Sequence, residues 1–485
     1  MQDSYDPPTG EPHDADEPAD FGWPDAQTHL DALSPVDPYS YTDDGNAQRL
    51  VEKYGAYIRF VPQAGKWLTW DTYRWHWDDE NKIQQAARFT IRGMRPLDTD
   101  SEKHRRRSLG KRSIDAMIQL ASSDPLVVAH AHELDGRRLH LNTPGGIVDL
   151  VTGHTSRPDQ SALHTRSTCI APDPTQLTPR WHSFLNDTFS GDAEMIRYVQ
   201  RLAGYSASGD VRYHVLPFLY GGGQNGKSVL TEIMRTLLGD YAATAPRNFL
   251  MAQKYSGHET QIARLQGLRL VIASEVNQDQ QFDEAKVKEL TGGDALTARF
   301  MHKDYFTFEP THHLWIAGNH KPSVRAGGDS FWRRLRLVPF VHRVPDDKRI
   351  TNLAQILVAE EGPGILAWII AGAVDLFSGG MREPQSVIEE TQTYADEENH
   401  LARFLDECCL VGGGELVKTE TKALRGAYDR WCGAEGERPL TPQSFGRELK
   451  TLGIDSAKSN GRRFYLGLSL LSLDEPDAGD ADAWK

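Results

Sequence analysis

A chain of 485 residues with 39% hydrophobic residues and 11 tryptophans can fill several ordinary cores, which excludes a wholly disordered polymer. The net charge of −14 argues against a uniformly basic nucleic-acid binder, yet it is unevenly placed. Residues 1–44 carry twelve acids and no Lys or Arg, and residues 474–485 carry five acids and one Lys; removing −12 and −4 leaves the middle near +2.

The four cysteines, Cys169, Cys408, Cys409 and Cys432, form no C-x-x-C pair and no Cys/His spacing suited to zinc, so they read as idle thiols in a reducing compartment. No charged start leads into an apolar run at the N-terminus, and the longest apolar stretch, Ile365 to Val374, is too short to span a bilayer. The expectation is a cytoplasmic protein with no membrane partner.

In chain order, residues 1–44 lack any helical or strand period and are predicted to be a disordered acidic tail. From Asn46 a short helix gives way to aromatic-rich strands with Trp67, Trp70, Trp75 and Trp77. That row can stack bases, but its more ordinary use is the core of a small sheet. The basic run "RGMRPLDTDSEKHRRRSLGKR" offers Lys103, Arg105, Arg106 and Arg107 either to phosphates or to solvent on a helix starting after Asp98 or Asp100. A hairpin connector, "LNTPGGIVDLVTGHTSRP", precedes helices over Trp181 to Ala207. Apolar strands then alternate with helices from 208 to about 345, the pattern of an α/β domain, and a helix over Leu353 to Phe377 closes it.

The chemistry gathers in that region. "FLYGGGQNGKSVLTEIM" contains Gly221-x-x-x-x-Gly226-Lys227-Ser228 between a strand and a helix, the phosphate-loop pattern. Residues Gly221, Gly222, Gly223, Gln224, Asn225, Gly226, Lys227, Ser228 and Val229 would cradle the phosphates of ATP. Lys227 would bridge the β- and γ-phosphates, and the Ser228 hydroxyl would bind Mg²⁺. Pro217 inside the strand is discordant and implies an edge position or a missing ladder bond. Glu275 follows the apolar run Leu268 to Ala273, placed to act as general base and water-mediated metal partner. Asn319 ends a further strand and could sense the γ-phosphate, and Arg333 or Arg334 could stabilise phosphoryl charge from a neighbouring subunit.

With these elements in this order, the chain resembles the superfamily-three helicases, an AAA+-like branch of P-loop ATPases, and more narrowly the phage and plasmid primase-helicases related to the poxvirus-type enzyme. "KELTGGDALTARF" and "FWRRLRLVPF" are the specific segments, supported by "GKWLTWDTYRW", "RLAGYSASGD" and "YDRWCGAEGERPLTPQSFGREL". The resemblance implies a hexameric ring that moves on single-stranded DNA and unwinds forked duplex during phage, plasmid or prophage replication in a bacterial host. It also implies a DNA-gripping hairpin before the sensor strand, matched here by Arg299, His302 and Lys303.

The expected fold is α/β: a three-layer P-loop AAA+-like core at 181–380, a small N-terminal α+β domain at 45–180, a winged-helix-like domain at 381–473, and an acidic tail at 474–485. In the winged-helix-like part, a helix at Thr421 to Trp431, a second helix capped by Thr441 and an Asn460-Gly461 hairpin would present Lys450, Lys458, Arg462 and Arg463 to DNA or protein. No paired catalytic carboxylates and no zinc cluster precede the core, so primer synthesis is not expected of this chain, and a separate primase or polymerase is an expected partner. Two alternatives stay open: an origin-remodelling or primase-associated ATPase without processive unwinding, and a P-loop kinase, which the Asn and paired arginines disfavour.

Overall fold

The structure, a computed structural model, describes residues 39–471 except 254–258, 275–279, 302–303, 325–327, 346, 348, 413 and 460. The chain divides into two compact units. The first joins the described residues up to Gly136 with Arg157–Arg166, and the second joins Arg137–Ser156 with the described residues from Ser167 onward.

The first unit begins with α1 (Asp43–Tyr54). This helix starts before Asn46 because Thr42 Oγ1 accepts the Gly45 N–H, and Asp43 and Asp44 sit in the first turn, where the helix dipole favours acids. Strands β1 (Ile58–Val61), β2 (Lys66–Asp71) and β3 (Arg74–Trp77) form an antiparallel meander, followed by α2 (Lys82–Arg92), α3 (Thr99–Ser108) and α4 (Lys111–Ala121). Trp67, Trp70 and Trp75 are buried, and only Trp77 of the four is exposed, so the aromatic row is mainly core. Asp98 caps α3 through a capping box with Ser101. Within the basic run Glu102 pairs with both Arg105 and Arg106, which holds its carboxyl down to about 2; Arg107 remains exposed.

The second unit opens with β4 (His140–Thr143), β5 (Gly146–Asp149) and β6 (Thr155–Ser156), an antiparallel set, then α5 (Pro179–Phe189) and α6 (Ala193–Ala207). Its centre is built from β7 (Leu216–Tyr220), α7 (Lys227–Leu238), β8 (Ala242–Thr244), α8 (Glu259–Ala263), β9 (Leu270–Ser274) and α9 (Glu284–Thr291). The hairpin β10 (Leu296–Ala298) and β11 (Phe306–Phe308) follows, then β12 (His313–Gly318), α10 (Gly328–Trp332), β13 (Leu335–Pro339) and α11 (Leu353–Gly379). The five-stranded sheet is parallel, in the order β13-β7-β12-β9-β8. Near-continuous apolar strands suit burial on both faces. Trp181, Tyr198, Leu237 and Ile369 pack on one face and Phe249, Leu290 and Phe331 on the other.

Pro217 does not mark an edge, because β7 lies between β13 and β12. Leu216 N–H donates to Arg334 O, so Pro217 faces β12, and the β7–β12 ladder begins one residue later at Phe218. The missing donor therefore falls just outside the ladder.

Helix α11 runs two residues beyond the Phe377 expected from the pattern and passes through Pro363, whose carbonyl accepts the Asp173 N–H. By length and composition it could cross a membrane, yet Ile365, Leu366 and Ile369 are buried in the core. A Cβ on Gly204 of α6 would fall 2.0 Å from Ala373 N, and one on Gly372 would fall 2.1 Å from Gln200 O, so small residues let the two helix backbones touch. The buried Glu361 carboxylate accepts the N–H groups of Arg180 and Trp181, both at 2.9 Å, satisfying first-turn donors of α5.

The remaining elements are α12 (Gln385–Glu398), α13 (His400–Cys408), β14 (Cys409–Val411), β15 (Lys418–Glu420), α14 (Thr421–Glu435), α15 (Pro442–Thr451), β16 (Ser456–Ser459), β17 (Arg462–Leu466) and β18 (Leu468–Leu470). Helix α12 belongs to the parallel-sheet core: Thr391 Oγ1 accepts the Leu337 N–H of β13, and Tyr394 is buried beside it. The later elements enclose a separate core around Phe404, Tyr428 and Phe445, with β15 and β16 flanking β17. Thr441 caps α15 as its sequence suggests; Asn460 lies outside the described residues.

Candidate functional site

The chain leaves β7 for β8 on one side of the sheet, and leaves β12 for β13 on the other. The carboxyl ends of β7 and β12 therefore flank a topological switch point, the crevice where open α/β sheets receive ligands. Residues 221–226 occupy that crevice, between β7 and α7.

Two glycines explain the loop's shape. A Cβ on Gly221 would stand 2.2 Å from Phe340 O and 2.3 Å from Asn225 Nδ2, so only glycine fits the approach. Gly226 holds φ +90 as the residue before α7, and a Cβ there would meet Thr188 Oγ1 at 2.9 Å. Asn225 acts as a strut, its Nδ2 donating to Phe340 O at 2.6 Å. Lys227 is buried, with Nζ donating to Gly221 O at 2.7 Å and Asn225 Oδ1 at 2.9 Å. Burial lowers its pKa to about 8. Both acceptors are neutral oxygens of the loop itself, so the ammonium is held with its charge uncompensated by them.

Gly222, Gln224 and Ser228 are exposed, and Gly223 and Val229 are half-buried. The register pairs Gly318 with Tyr220 and Ala317 with Ser274, setting the ends of β7, β12 and β9 side by side. Asn319 follows directly; its exposed amide nitrogen lies 3.9 Å from where a Cβ on Gly223 would stand. Glu275 is the next residue after β9 and lies outside the described residues, as do His302 and Lys303.

The structure separates the two arginine candidates. Arg333 is exposed. Arg334 is buried, donates to Ser330 O within its own chain, and has its pKa lowered by burial and by Arg333. Both precede β13, whose Leu335 pairs with Leu216 at the start of β7, so they lie at the opposite end of the sheet from the 221–226 loop. Five strand residues put about 17 Å between the two ends.

The hairpin expected before the sensor strand is present, pairing Leu296 with Phe308 and Ala298 with Phe306. Arg299 stands over the Tyr305 ring at 4.8 Å, beside exposed Phe300 and Met301. Sequence reasoning missed the strut role of Asn225 and the buried polar groups Arg269, His312 and His313. Arg269, a lone cation interrupting an apolar run, was the available signal for that group.

Residues 47–190 match a family model described as D5 N terminal like, and residues 219–334 match one described as a family of unknown function. The helicase-named protein L207/L206 of Acanthamoeba polyphaga mimivirus is 29% identical over 154 residues, covering 31% of this chain and 16% of that protein. The helicase-named protein 022R of Frog virus 3 (isolate Goorha) is 26% identical over 280 residues, covering 53% of this chain and 28% of that protein. The primase-named protein C962R of African swine fever virus (isolate Warthog/Namibia/Wart80/1980) is 28% identical over 119 residues, covering 24% and 12%. The matches thus span less than a third of each relative's length. The apo structure of the NrS-1 C terminal region, 11% identical, aligns over 85% of this chain and 96% of that one with a TM-score of 0.49. The class in hand is a parallel α/β protein with a glycine-lysine loop at its switch point. Within that class, the chain is similar over part of its length to helicase-named and primase-named viral proteins, and residues 47–190 carry the D5 N terminal like region.

Proposed function

We propose that this chain is an ATP-dependent DNA helicase whose P-loop core, 181–380, hydrolyses ATP between subunits of a ring, most simply a homo-hexamer. The observation that carries this reading is the 221–226 loop at the switch point, with buried Lys227 donating, among the described residues, to two neutral oxygens, and with Asn319 beside the loop. An ammonium desolvated without a countercharge favours an incoming anion, and loop amides at a helix N-terminus favour phosphate.

In this reading Lys227 turns from Gly221 O and Asn225 Oδ1 to the β- and γ-phosphates. The Ser228 hydroxyl, exposed and without a hydrogen-bond partner among the described residues, fits a metal ligand. Mg²⁺ bound there supplies charge neutralisation at the phosphates. Glu275, one residue past a strand paired to the Asn319 strand, takes the proton of the attacking water and supports the metal through water. Asn319 orients that water or the γ-phosphate. Arg333 is the better finger of the pair: it is exposed and too far from its own loop, whereas Arg334 anchors α10.

Arg299, together with His302 and Lys303, which fall between β10 and β11 in sequence, is assigned to the backbone of single-stranded DNA. Within the 381–473 expected for it, the part from His400 onward is assigned a winged-helix-like role, supported by the order α13, β15, α14, α15, β16, β17 and the placement of β17 between β15 and β16. A separate primase or polymerase completes the replication machinery, in the host cytoplasm.

The test is single-stranded-DNA-stimulated ATP hydrolysis together with displacement of a strand from a forked duplex. Lys227→Ala should abolish both. Hydrolysis retained by that variant overturns the site, and hydrolysis without displacement by the wild type reduces the function to DNA-bound remodelling.

A further inference from the structure

The sheet of the first unit carries a cation where its pattern calls for an apolar side chain. The register pairs Arg59 with Leu68 and Trp70 with Trp75, and alternate residues of a strand share a face, so Arg59, Val61, Leu68, Trp70 and Trp75 stand on one face. Val61, Leu68, Trp70 and Trp75 form a buried cluster there, while Ile58 and Trp67 of the opposite face belong to the core shared with α1 and α2. The Arg59 guanidinium lies 4.7 Å over the Trp75 ring, and burial pushes its pKa below the ordinary arginine value. Its Nη1 donates to Gly55 O and Ile58 O, both neutral. Among the described residues no carboxylate pairs with Arg59, and its Nε and Nη2 donors are unused.

Arg59 lines a cavity of about 620 Å³ together with Thr72, Arg157, Asp159 and Ser161, all within the first unit. The volume is that of a small-molecule site and exceeds what a bare phosphate fills. Arg157 is exposed and, among the described residues, has no ion-pair or hydrogen-bond partner. Two guanidinium groups against the one carboxylate of Asp159 leave the wall with net positive charge. Asp159 Oδ1 accepts the Ser161 N–H at 2.8 Å and the Ser161 hydroxyl at 2.6 Å, so that hydroxyl has its proton engaged and its lone pairs left to accept. Thr72 holds φ +31, costly for a β-branched residue, and strain of this kind gathers at ligand sites. The wall thus joins fork donors that match phosphate to acceptors that match a sugar hydroxyl or a base amino group.

We propose that this cavity binds one nucleotide unit, with Arg59 and Arg157 holding its phosphate and Asp159 and Ser161 accepting from its sugar or base. The ligand would join β1, which carries Arg59, to the late segment Arg157–Arg166 that closes the unit. The proposal does not depend on the ATP reading: the 221–226 loop holds a polyphosphate through backbone amides, whereas this cavity takes a single phosphate through side chains. The same chemistry is supplied by a free mononucleotide or by one residue of a single strand.

The experiment uses the full chain carrying Lys227→Ala, which removes the glycine loop as a competing phosphate site. Thymidine monophosphate, thymidine and inorganic phosphate are titrated by calorimetry, and a fluorescein-labelled oligothymidylate by anisotropy. Arg59→Gln and Arg157→Gln should each weaken nucleotide binding by about tenfold, as loss of charged hydrogen bonds implies, and Arg59→Lys should recover little because the fork is gone. Arg157→Gln should keep the melting temperature, since Arg157 is exposed, so the claim stays testable if Arg59→Gln fails to fold. Loss with the mononucleotide alone assigns the site to free nucleotide. Loss with the oligonucleotide, its salt slope falling by about one for each arginine removed, assigns the site to a strand. The proposal is overturned if Arg157→Gln leaves both ligands unaffected, or if thymidine or inorganic phosphate binds as tightly as the mononucleotide. Either result leaves the ATP reading, which rests on hydrolysis, where it stands.

Discussion

The two ends of the parallel sheet are both polar, but their polarity is of different kinds. At the amino end, buried Arg269 donates to Ala207 O at 2.7 Å and His140 O at 2.6 Å, with its guanidinium 4.3 Å over the Tyr241 ring. His313 Nε2 donates to Ser208 O at 3.1 Å, His312 Nε2 to Leu290 O at 3.1 Å, and Trp315 Nε1 to Ser206 Oγ at 2.8 Å. These groups close the chain on itself. At the carboxyl end Ser228 and Asn319 are exposed, and Lys227 rests on oxygens it can give up. Polar residues with fixed internal partners build the domain, and polar residues with spare capacity are the ones available to a ligand.

The largest expected effect separates the two arginines at the amino end. Arg333→Ala should lower DNA-stimulated hydrolysis by about a thousandfold, as for arginine fingers, with its melting temperature kept. Mixing it with Lys227→Ala should restore part of the activity. Arg334→Ala should instead lower the melting temperature, because it removes a buried donor to Ser330 O. If the two variants behave alike, the division of roles between them fails.

Next in size is acid sensitivity. Burial pushes the His312 and His313 imidazoles down to about 4 and about 3, against an ordinary value of 6.5. Between these values the unfolded chain binds protons that the folded chain does not. Stability is therefore fully present above about pH 6.5 and declines as pH falls toward 3. Urea midpoints at pH 7.5 and pH 5 measure it, and a midpoint unchanged between them would mean that the amino end is not sealed as described.

The smallest effect sharpens the carboxyl end. Gly226→Ala places a methyl group against Thr188 at φ +90 and should cost about 1–3 kcal/mol, chiefly as lost nucleotide affinity and loop order. Calorimetric nucleotide titration and thermal melting of the variant check it.

Much of this was legible in the sequence where a local rule acts alone. The alternation of strand and helix, the glycine-lysine loop, the Thr441 cap and the β10–β11 hairpin each follow from nearby residues. What escaped depends on distant pairing. Pro217 left an edge position and a missing ladder bond both open, because the parity that turns it toward β12, one position before the ladder, exists only once the sheet is assembled. Helix α12 read as part of the C-terminal region because its Thr391 contact with Leu337 links residues 54 apart. Gln224 read as one more cradle residue, and nothing in its neighbours in sequence announces its hydrogen bonds with Arg343 and Arg349.

The first compact unit is closed by Arg157–Arg166, a segment that arrives only after the chain has already contributed β4, β5 and β6 to the second. Trp75 N–H donates to His164 O at 2.8 Å and Trp75 Nε1 to Gln160 O at 3.0 Å, so the late segment seals the tryptophan core. On a ribosome the aromatic sheet must wait for its last seam, and no single cut in the polypeptide can release either unit intact.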